Sequence, residues 1–445
     1  MKKQHRPGPR LLLWSHGIGV AGFYFALWLR TRPPKEDRIQ RLLPGDQGLF
    51  RPENHPLISI ILPARDEERN IRRCVESLLA QDYDNFEVIV VDDGSTDATP
   101  QILDELMATH PRRNRLYVLR LRDELPEGWA GKPHAIHKGV QEAHGSWLLF
   151  TDADTWHAPA ALRTALAQAI SQQLDLLSYG TRQELPGFWD KVMMPMAYIG
   201  IIMQYPPRKV NDPRSSIALA NGQFILIRRS VYSTLGGYAR PDLRNTLLDD
   251  RDLAHVVKWS GFRLRMLDGR NLVYVRMYRG LRDTWRGWLK NAFLGSRGGN
   301  AFTLLQLIGL PMISIVPFLL PLLLWIKKLA GKPQSEANED AHPVRSVGTA
   351  PGAYPHTPTG TGARRCPYEV EITATELGAV TLLELLPLLA YKNWVDRELR
   401  VPWYYALTFP LAGAIFEGIL AQSAWRVLTG RGVDWRGRRY FNTKD

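Results

Sequence analysis

The chain has 445 residues, enough for one or two domains with a sizeable core and more besides. Its 57 Lys and Arg against 44 Asp and Glu give a net charge of +13, which points to an anionic partner such as nucleic acid or an acidic lipid surface. No nucleic-acid motif is present, and two distant cysteines, Cys74 and Cys366, support neither a disulfide framework nor a thiolate zinc site.

The placement of the charge favours lipid. Lys2, Lys3, Arg6 and Arg10 give a basic N-terminus over 1–10, and Arg426, Arg431, Arg436, Arg438 and Arg439 give a basic tail over 426–445. Both lie beside apolar runs, as at a membrane rim. The first run, "LLLWSHGIGVAGFYFALWL", is long enough to cross about 30 Å of hydrocarbon at helical rise. It lacks a small-residue cleavage site, so an anchor over 11–30 is predicted. Residues 31–55, with "TRPPKEDR" and "RPENHP", read as a polar linker.

From 56 to about 270 strands alternate with helices. "LISIILP" (57–63) and "FEVIVVDD" (86–93) are short β-branched apolar runs, the pattern of parallel strands covered on both faces. Between them Ile71, Val75, Leu78 and Leu79 stripe one helix, with Cys74 as core filler. Ile102 and Leu106 stripe a second helix, "RLYVLRL" (115–121) is a third strand, and Ile136, Val140 and Ala143 stripe a third helix. "SWLLFTDAD" (146–154) is the fourth strand. The alternation predicts an α/β fold with a doubly wound sheet, whose ligands sit beyond the carboxyl ends of the strands.

The remaining elements are apolar. "FTLLQLIGLPMISIVPFLLPLLLWI" (302–326) has no charge in 25 positions, and Pro311, Pro317 and Pro321 predict kinks that a membrane helix tolerates. Residues 331–375 are rich in Pro, Gly, Thr and Ala without periodicity and read as a disordered loop. Over 376–425, "ELGAVTLLELLPLLAY" and "WYYALTFPLAGAIFEGILAQSAW" are predicted spans, each with one internal acid, Glu384 and Glu417. The first is short enough to be a buried globular helix instead.

Two strands end in acids. Asp92 and Asp93 precede Gly94 and Ser95, and ordinary turn and cap chemistry accounts for such a sequence as well as ligand binding does. Asp152 and Asp154 are harder to dismiss. On an extended segment, carboxylates at i and i+2 point the same way, and an Mg²⁺ or Mn²⁺ ion sharing phosphate oxygens would offset their repulsion. The two sites together suggest a nucleotide diphosphate, bridged by metal at one strand end, with its nucleoside at the other. No Gly-x-x-x-x-Gly-Lys-Ser/Thr loop and no Gly-x-Gly-x-x-Gly turn after the first strand is present, against kinase-like and dehydrogenase readings.

"SIILPARDEERNIRRCVESLLAQDY", "FEVIVVDDGSTDATPQIL" and "GWAGKPHAIHKGVQEAHGSWLLFTDAD" resemble the nucleotide-binding half of a family 2 glycosyltransferase with the GT-A fold. The likeness continues through "ANGQFILIRRSVYSTLGGY" (220–238) and "LLDDRDLAHVVKWSGFRL" (247–264), covering most of 57–290. With the spans, "VRMYRGLRDTWRGWLKN" and "GRGVDWRGRRY", it is similar to the lipid-directed branch that glycosylates carotenoids, hopanoids or related lipids. The resemblance implies a GT-A domain over 56–290 plus transmembrane helices.

It also implies roles. Pro63, Ala64 and Glu67 match the segment lining the nucleoside, with Asp66 where the family often has Asn. Asp93, with Asp92 beside it, would take the nucleoside, and Lys132 matches a lysine near the donor diphosphate; its plain alternative is a solvated loop lysine. Asp152 and Asp154 match the Asp-x-Asp pair, with Asp154 the direct metal ligand and Asp152 shared between metal and donor. Among Asp249, Asp250 and Asp252, motif register selects Asp250 as base and Asp249 as helper, with Asp252 orienting or capping. Helix capping is the alternative for one such acid but not for three. Gly222 and Gln223, with Arg286 and Trp288, are candidates for acceptor or diphosphate contact. An interfacial aromatic and basic collar explains Arg286 and Trp288 equally well. His134, His137, Met193 and Met194 read as structural.

The expected activity is membrane-bound, inverting, Mg²⁺- or Mn²⁺-dependent transfer of one sugar, most simply from a UDP-sugar, to a lipid acceptor, with no nucleic-acid partner. A processive polysaccharide synthase is disfavoured because no Gln precedes Arg286 at the spacing of the Gln-x-x-Arg-Trp motif. A non-catalytic nucleotide-sugar-binding scaffold is the reading from another class. Nucleotide sugars imply a cytoplasmic catalytic domain on a multi-pass protein of the cell membrane. Four full spans would then place both basic termini outside, against the positive-inside rule.

Overall fold

The computed structural model describes residues 8–31, 55–294, 299–330, 372–429, 431, 433–435 and 438–440. Most of the basic N-terminus, of the 31–55 linker, of the 331–375 loop and of the basic tail lies outside the described residues.

Ten strands build the polar domain: β1 (Ile58–Ala64), β2 (Phe86–Asp92), β3 (Leu116–Arg120), β4 (Trp147–Phe150), β5 (Thr155–His157), β6 (Leu176–Gly180), β7 (Arg182–Gln183), β8 (Ile225–Arg228), β9 (Leu264–Asp268) and β10 (Val273–Val275). Seven form one sheet in the order β3-β2-β1-β4-β8-β6-β9, and β5-β10-β7 form a smaller one. Helices cover both faces of the large sheet. Ile58, Ile60, Leu62, Val88 and Val90 enter one core, while Ile61, Ile89 and Val91 enter the other. With side chains alternating between two buried faces, β1 and β2 are mostly apolar, and their polar Ser59 and Glu87 are buried and bond each other at 2.6 Å.

The predicted helix stripes are where the packing is. Ile71, Val75, Leu78 and Leu79 are all buried on the Ile71–Leu79 helix, with Cys74 among them. The Gly131–Gln141 helix lies directly on β1 and β2, because Gly139 has no side chain; a Cβ there would meet Ile61 Cγ2 at 2.7 Å and Val91 Cγ2 at 2.9 Å. Its first turn carries Lys132.

Three features differ from the sequence reading. The fourth strand stops at Phe150, so Asp152 and Asp154 are not on an extended segment. Thr155 folds that segment back: its N–H and its Oγ1 both donate to the Asp152 carbonyl, at 3.3 and 2.7 Å. The sheet is mixed, with β8 antiparallel to both β4 and β6. The 376–391 segment is part of a longer helix, Ala374–Glu398.

Among the described residues three helices are long and apolar enough to cross a membrane: Arg10–Thr31, Ala374–Glu398 and Trp403–Arg426. The 302–326 stretch forms two helices, Gly299–Ser314 and Val316–Ala330, bent by 57° at the break. Pro317 has no N–H for the Ile313 carbonyl four residues back. The N-terminal span supplies donors instead. Tyr24 Oη donates to the Ile313 carbonyl at 2.9 Å, and His16 Nε2 lies 3.2 Å from the Met312 carbonyl while its Nδ1 lies 2.8 Å from Glu384 Oε1. Apolar surroundings tolerate a broken helix when neighbours satisfy the freed groups. Tyr24→Phe is therefore expected to cost about 0.6 kcal/mol in the natural background and less beside Pro317→Ala, which restores the missing donor. Thermal unfolding of the four variants in detergent checks this, and equal losses in both backgrounds would refute it.

The polar domain is seated on these helices. Val192, Met193 and Met196 of the Phe188–Gln204 helix share a core with Val20, Tyr24, Leu388 and Phe409, and Met194 is also buried. Arg270, just after β9, fixes the junction. It grips Asp268 with Nε and Nη2 at 2.9 and 2.7 Å, and its Nη1 reaches both the carbonyl and Oε2 of Glu398 at 2.7 Å. A cation is favoured at that helix C-terminus.

Candidate active site

The carboxyl ends of β1, β2 and β4 lie side by side, with Ala64 opposite Asp92 and Ile61 opposite Phe150. Because β8 runs the other way, its first residue, Ile225, faces Phe150. The residues just before β8 therefore reach the same edge as those just after β4.

At the β1 and β2 ends the loops are tied together. Pro63 and Ala64 close β1. Asp66 adopts a left-handed backbone (φ 53°), its N–H donates to Ser95 Oγ at 3.0 Å, and its Oδ1 accepts the Thr96 N–H at 2.8 Å. Aspartate tolerates this conformation better than most residues. Buried Glu67 donates its N–H to Thr99 Oγ1 at 2.8 Å and accepts from Asn70 Nδ2 at 2.9 Å. Asp92 is buried and accepts the Ser95 N–H at 3.1 Å, the turn chemistry its sequence allowed. Asp93 is buried with Arg65, whose Nη1 donates to its carbonyl at 2.7 Å and lies 3.8 Å from its Oδ2.

A second group forms around Lys132. Its Nζ is 2.7 Å from Asp152 Oδ1 and 3.2 Å from Asp249 Oδ2. Burial alone would lower the Lys132 pKa, but Asp152, Asp249 and Asp250 outweigh it and raise the value, so the ammonium stays charged. Asp250 Oδ2 accepts the Gly222 N–H at 3.0 Å and its Oδ1 accepts the Arg251 N–H at 2.7 Å. Gly222 lies at the centre: a Cβ there would be 2.8 Å from Lys132 Nζ and 3.4 Å from both Asp152 Oδ2 and Asp250 Oδ2.

The three acids of the Asp249–Trp259 helix have different neighbours. Asp249 is buried, and Tyr238 Oη donates to its carbonyl at 3.3 Å. Burial, then Asp249 itself, raises the Tyr238 pKa, keeping the phenol a donor. Asp252 takes Arg251 Nε at 2.8 Å and the Thr246 hydroxyl, an orienting role. None of them is the capping residue, which is Leu248 without a side-chain bond.

The other candidates lie elsewhere. Asp154 lies within that turn, its carbonyl accepting the Arg276 N–H at 3.3 Å. Gln223 is buried, its Oε1 taken by Thr181 Oγ1 and by Asn221 Nδ2 at 3.2 Å, and its carbonyl by Thr151 Oγ1 at 2.9 Å. Trp288 is buried against Phe416 with ring centroids 5.8 Å apart, in the core shared with the apolar helices, and Arg286 on the same helix is exposed. His134 and His137 pack on Trp129. Tyr238, Thr181 and Asn221 were not singled out in the sequence; each acts through a partner that only the fold brings near.

Among the described residues no group of three His, Cys, Asp or Glu is placed to hold a metal ion. A divalent ion at Asp152 and Asp154 would complete its shell with phosphate oxygens and water, which Mg²⁺ prefers. The site suits such a cation: Asp152 already holds an ammonium at 2.7 Å, and the missing side chain of Gly222 leaves a cradle beside it.

The chain is similar to known glycosyltransferases. Residues 59–236 match the family model for glycosyl transferase family 2. A 4,4'-diaponeurosporenoate glycosyltransferase of Staphylococcus aureus is 26% identical over 277 residues, covering 62% of this chain and 70% of the relative. Among solved structures, the mannosyltransferase PcManGT of Pyrobaculum calidifontis in complex with GDP-Man and Mn²⁺ aligns over 94% of this chain and 97% of its own, with a TM-score of 0.46 and 17% identity. S. aureus TarS 1–349 with UDP-GlcNAc aligns over 87% and 97%, with a TM-score of 0.34 and 16% identity. Residues 59–236 therefore carry a glycosyl transferase family 2 domain, the domain of a glycosyltransferase.

Proposed function

We propose that the protein transfers one sugar from a nucleotide diphosphate donor to a lipid acceptor, with inversion at the anomeric carbon and with Mg²⁺ or Mn²⁺. The observation that carries the reading is the convergence of Lys132, Asp152, Asp249 and Asp250 around the bare backbone of Gly222, between the end of β4 and the start of β8. Pro63, Ala64, Glu67, Asp92 and Asp93 would hold the nucleoside, and Lys132 and Asp152 the diphosphate. Asp154 and Asp152 would hold the metal, which supplies positive charge to the departing diphosphate.

Asp250 acts as general base. The acceptor oxygen attacks the anomeric carbon from the face opposite the diphosphate, the bond to the phosphate oxygen breaks, and the hydroxyl proton passes to the Asp250 carboxylate. Lys132 neutralises charge on the leaving group. Buried Asp249, held by Tyr238, keeps Lys132 in place.

The lipid acceptor is supported by the apolar helices beneath the domain and by the Staphylococcus relative, named for the carotenoid-related 4,4'-diaponeurosporenoate. Nucleotide sugars place the catalytic domain on the cytoplasmic side of a multi-pass membrane protein. The absence of a Gln at the required spacing before Arg286 favours this reading over the processive one.

The full-length chain incubated with UDP-sugars, Mn²⁺ and a lipid extract should yield a lipid one sugar heavier by mass spectrometry. A polymer, or no turnover of any donor, would overturn the proposal. Gly222→Ala should lower kcat roughly 10²-fold, because its Cβ would stand 2.8 Å from Lys132 Nζ and push that ammonium aside, while Asp152 and Asp250 stay at ordinary contact distance. Unchanged kcat would show that the cradle has slack.

A further inference from the structure

We infer that Lys132 is a placeholder cation: it occupies Asp152 until a diphosphate draws it away, so that the divalent ion and the nucleotide bind together and the ion alone binds poorly. The inference rests on the metal-dependent reading above and adds an order of events to it.

The geometry sets up the competition. Lys132 Nζ lies 2.7 Å from Asp152 Oδ1, the carboxylate that the metal must also use, and 3.2 Å from Asp249 Oδ2. An ammonium this close repels a doubly charged ion arriving on the same acid. The ammonium has little room to retreat towards Gly222, whose α-carbon packs so near that a single added carbon would be 2.8 Å from Nζ. It can move outwards, because the side chain keeps a third of its surface exposed and a lysine stem is flexible.

The charge count gives the direction. Without ligand, Asp152, Asp249 and Asp250 surround one cation, and Lys132 neutralises part of that excess. A diphosphate brings oxygens that compete for Nζ. Once Lys132 turns to them it keeps Asp249 as its protein anchor and releases Asp152. The divalent ion then meets one fewer positive charge and several more oxygen ligands. Each ligand thereby raises the affinity for the other, and the linkage is reciprocal.

Titration calorimetry of Mn²⁺ into the full-length chain in detergent, with and without UDP, tests this against Lys132→Met and Lys132→Arg. The natural chain should bind Mn²⁺ weakly alone and more tightly with UDP. Lys132→Met should bind Mn²⁺ alone roughly tenfold tighter or better, and lose most of the gain that UDP gives. Lys132→Arg, which keeps the charge, should resemble the natural chain. Lys132→Gln replaces the methionine variant if that one does not fold. Mn²⁺ affinity that stays equal or falls in the uncharged variants, while the natural chain binds Mn²⁺ with UDP, overturns the placeholder and leaves the metal reading intact. Absence of Mn²⁺ binding to every form even with UDP overturns both.

Discussion

Asp250→Asn is expected to lower sugar transfer roughly 10²- to 10⁴-fold while donor and metal binding stay near natural values. Its neighbours explain why this acid and not the others. Asp249 is buried and shares the ammonium of Lys132, so its negative charge is already committed. Asp252 is held by Arg251 and Thr246. The Asp250 carboxylate takes two main-chain N–H groups, which orient it without neutralising it. Asp250 and Asp152 each have an oxygen 3.4 Å from the empty Cβ position of Gly222. In the proposed mechanism one acid would take the acceptor proton while the other holds the metal of the departing diphosphate. Transfer rates read beside donor calorimetry separate chemistry from binding. Should Asp250→Asn keep more than about a tenth of the activity while Asp249→Asn keeps none, the assignment of the base passes to Asp249.

Lys392→Met is expected to carry the largest stability cost, about 3–5 kcal/mol. Lys392 and Asp396 stand one turn apart on the Ala374–Glu398 helix, and both side chains are fully buried. Each satisfies the charge of the other, so removing one strands its partner in an apolar surround. The helix also carries Leu388, Tyr391 and Val395 into the core that seats the catalytic domain. Loosening it should therefore lower expression and the unfolding temperature in detergent. Replacing both partners, with Lys392→Met and Asp396→Leu together, should recover most of the loss, because the pair's desolvation cost disappears with it. A double variant as unstable as the single one would show that the cost lies in packing rather than in charge.

The sequence made the strand and helix order of the catalytic domain legible because two short-range signals coincide there. β1 and β2 are short β-branched runs broken only by Ser59 and by Glu87 and Asp92, and Ile71, Val75, Leu78 and Leu79 fall on one helical face. Direction was not legible. "FILIR" reads the same whichever way it is laid beside β4, and only tertiary pairing sets β8 antiparallel. The Asp152–Thr155 turn was missed because a threonine hydroxyl closing on a carbonyl leaves no periodic trace. The Phe188–Gln204 helix went unremarked for another reason: with Met193, Met194, Met196 and Ile199 all buried and Pro195 within it, it shows no clean polar face. At the site, single residues such as Lys132 could be named from the resemblance, but their partnerships could not. That Lys132 bridges Asp152 and Asp249, residues 20 and 117 positions away, is a property of the end of β4 meeting the first turns of two helices.

Arg270 bears on which lipids the proposed transfer would reach. It bolts the edge of the catalytic sheet to the tip of the Ala374–Glu398 helix through Glu398. Where that helix crosses a bilayer, the cleft rides at a set altitude above the hydrocarbon and cannot dip to follow its acceptor. The distance from a lipid's reactive group to its apolar body then works as a ruler, admitting molecules whose head stands as tall as the gap.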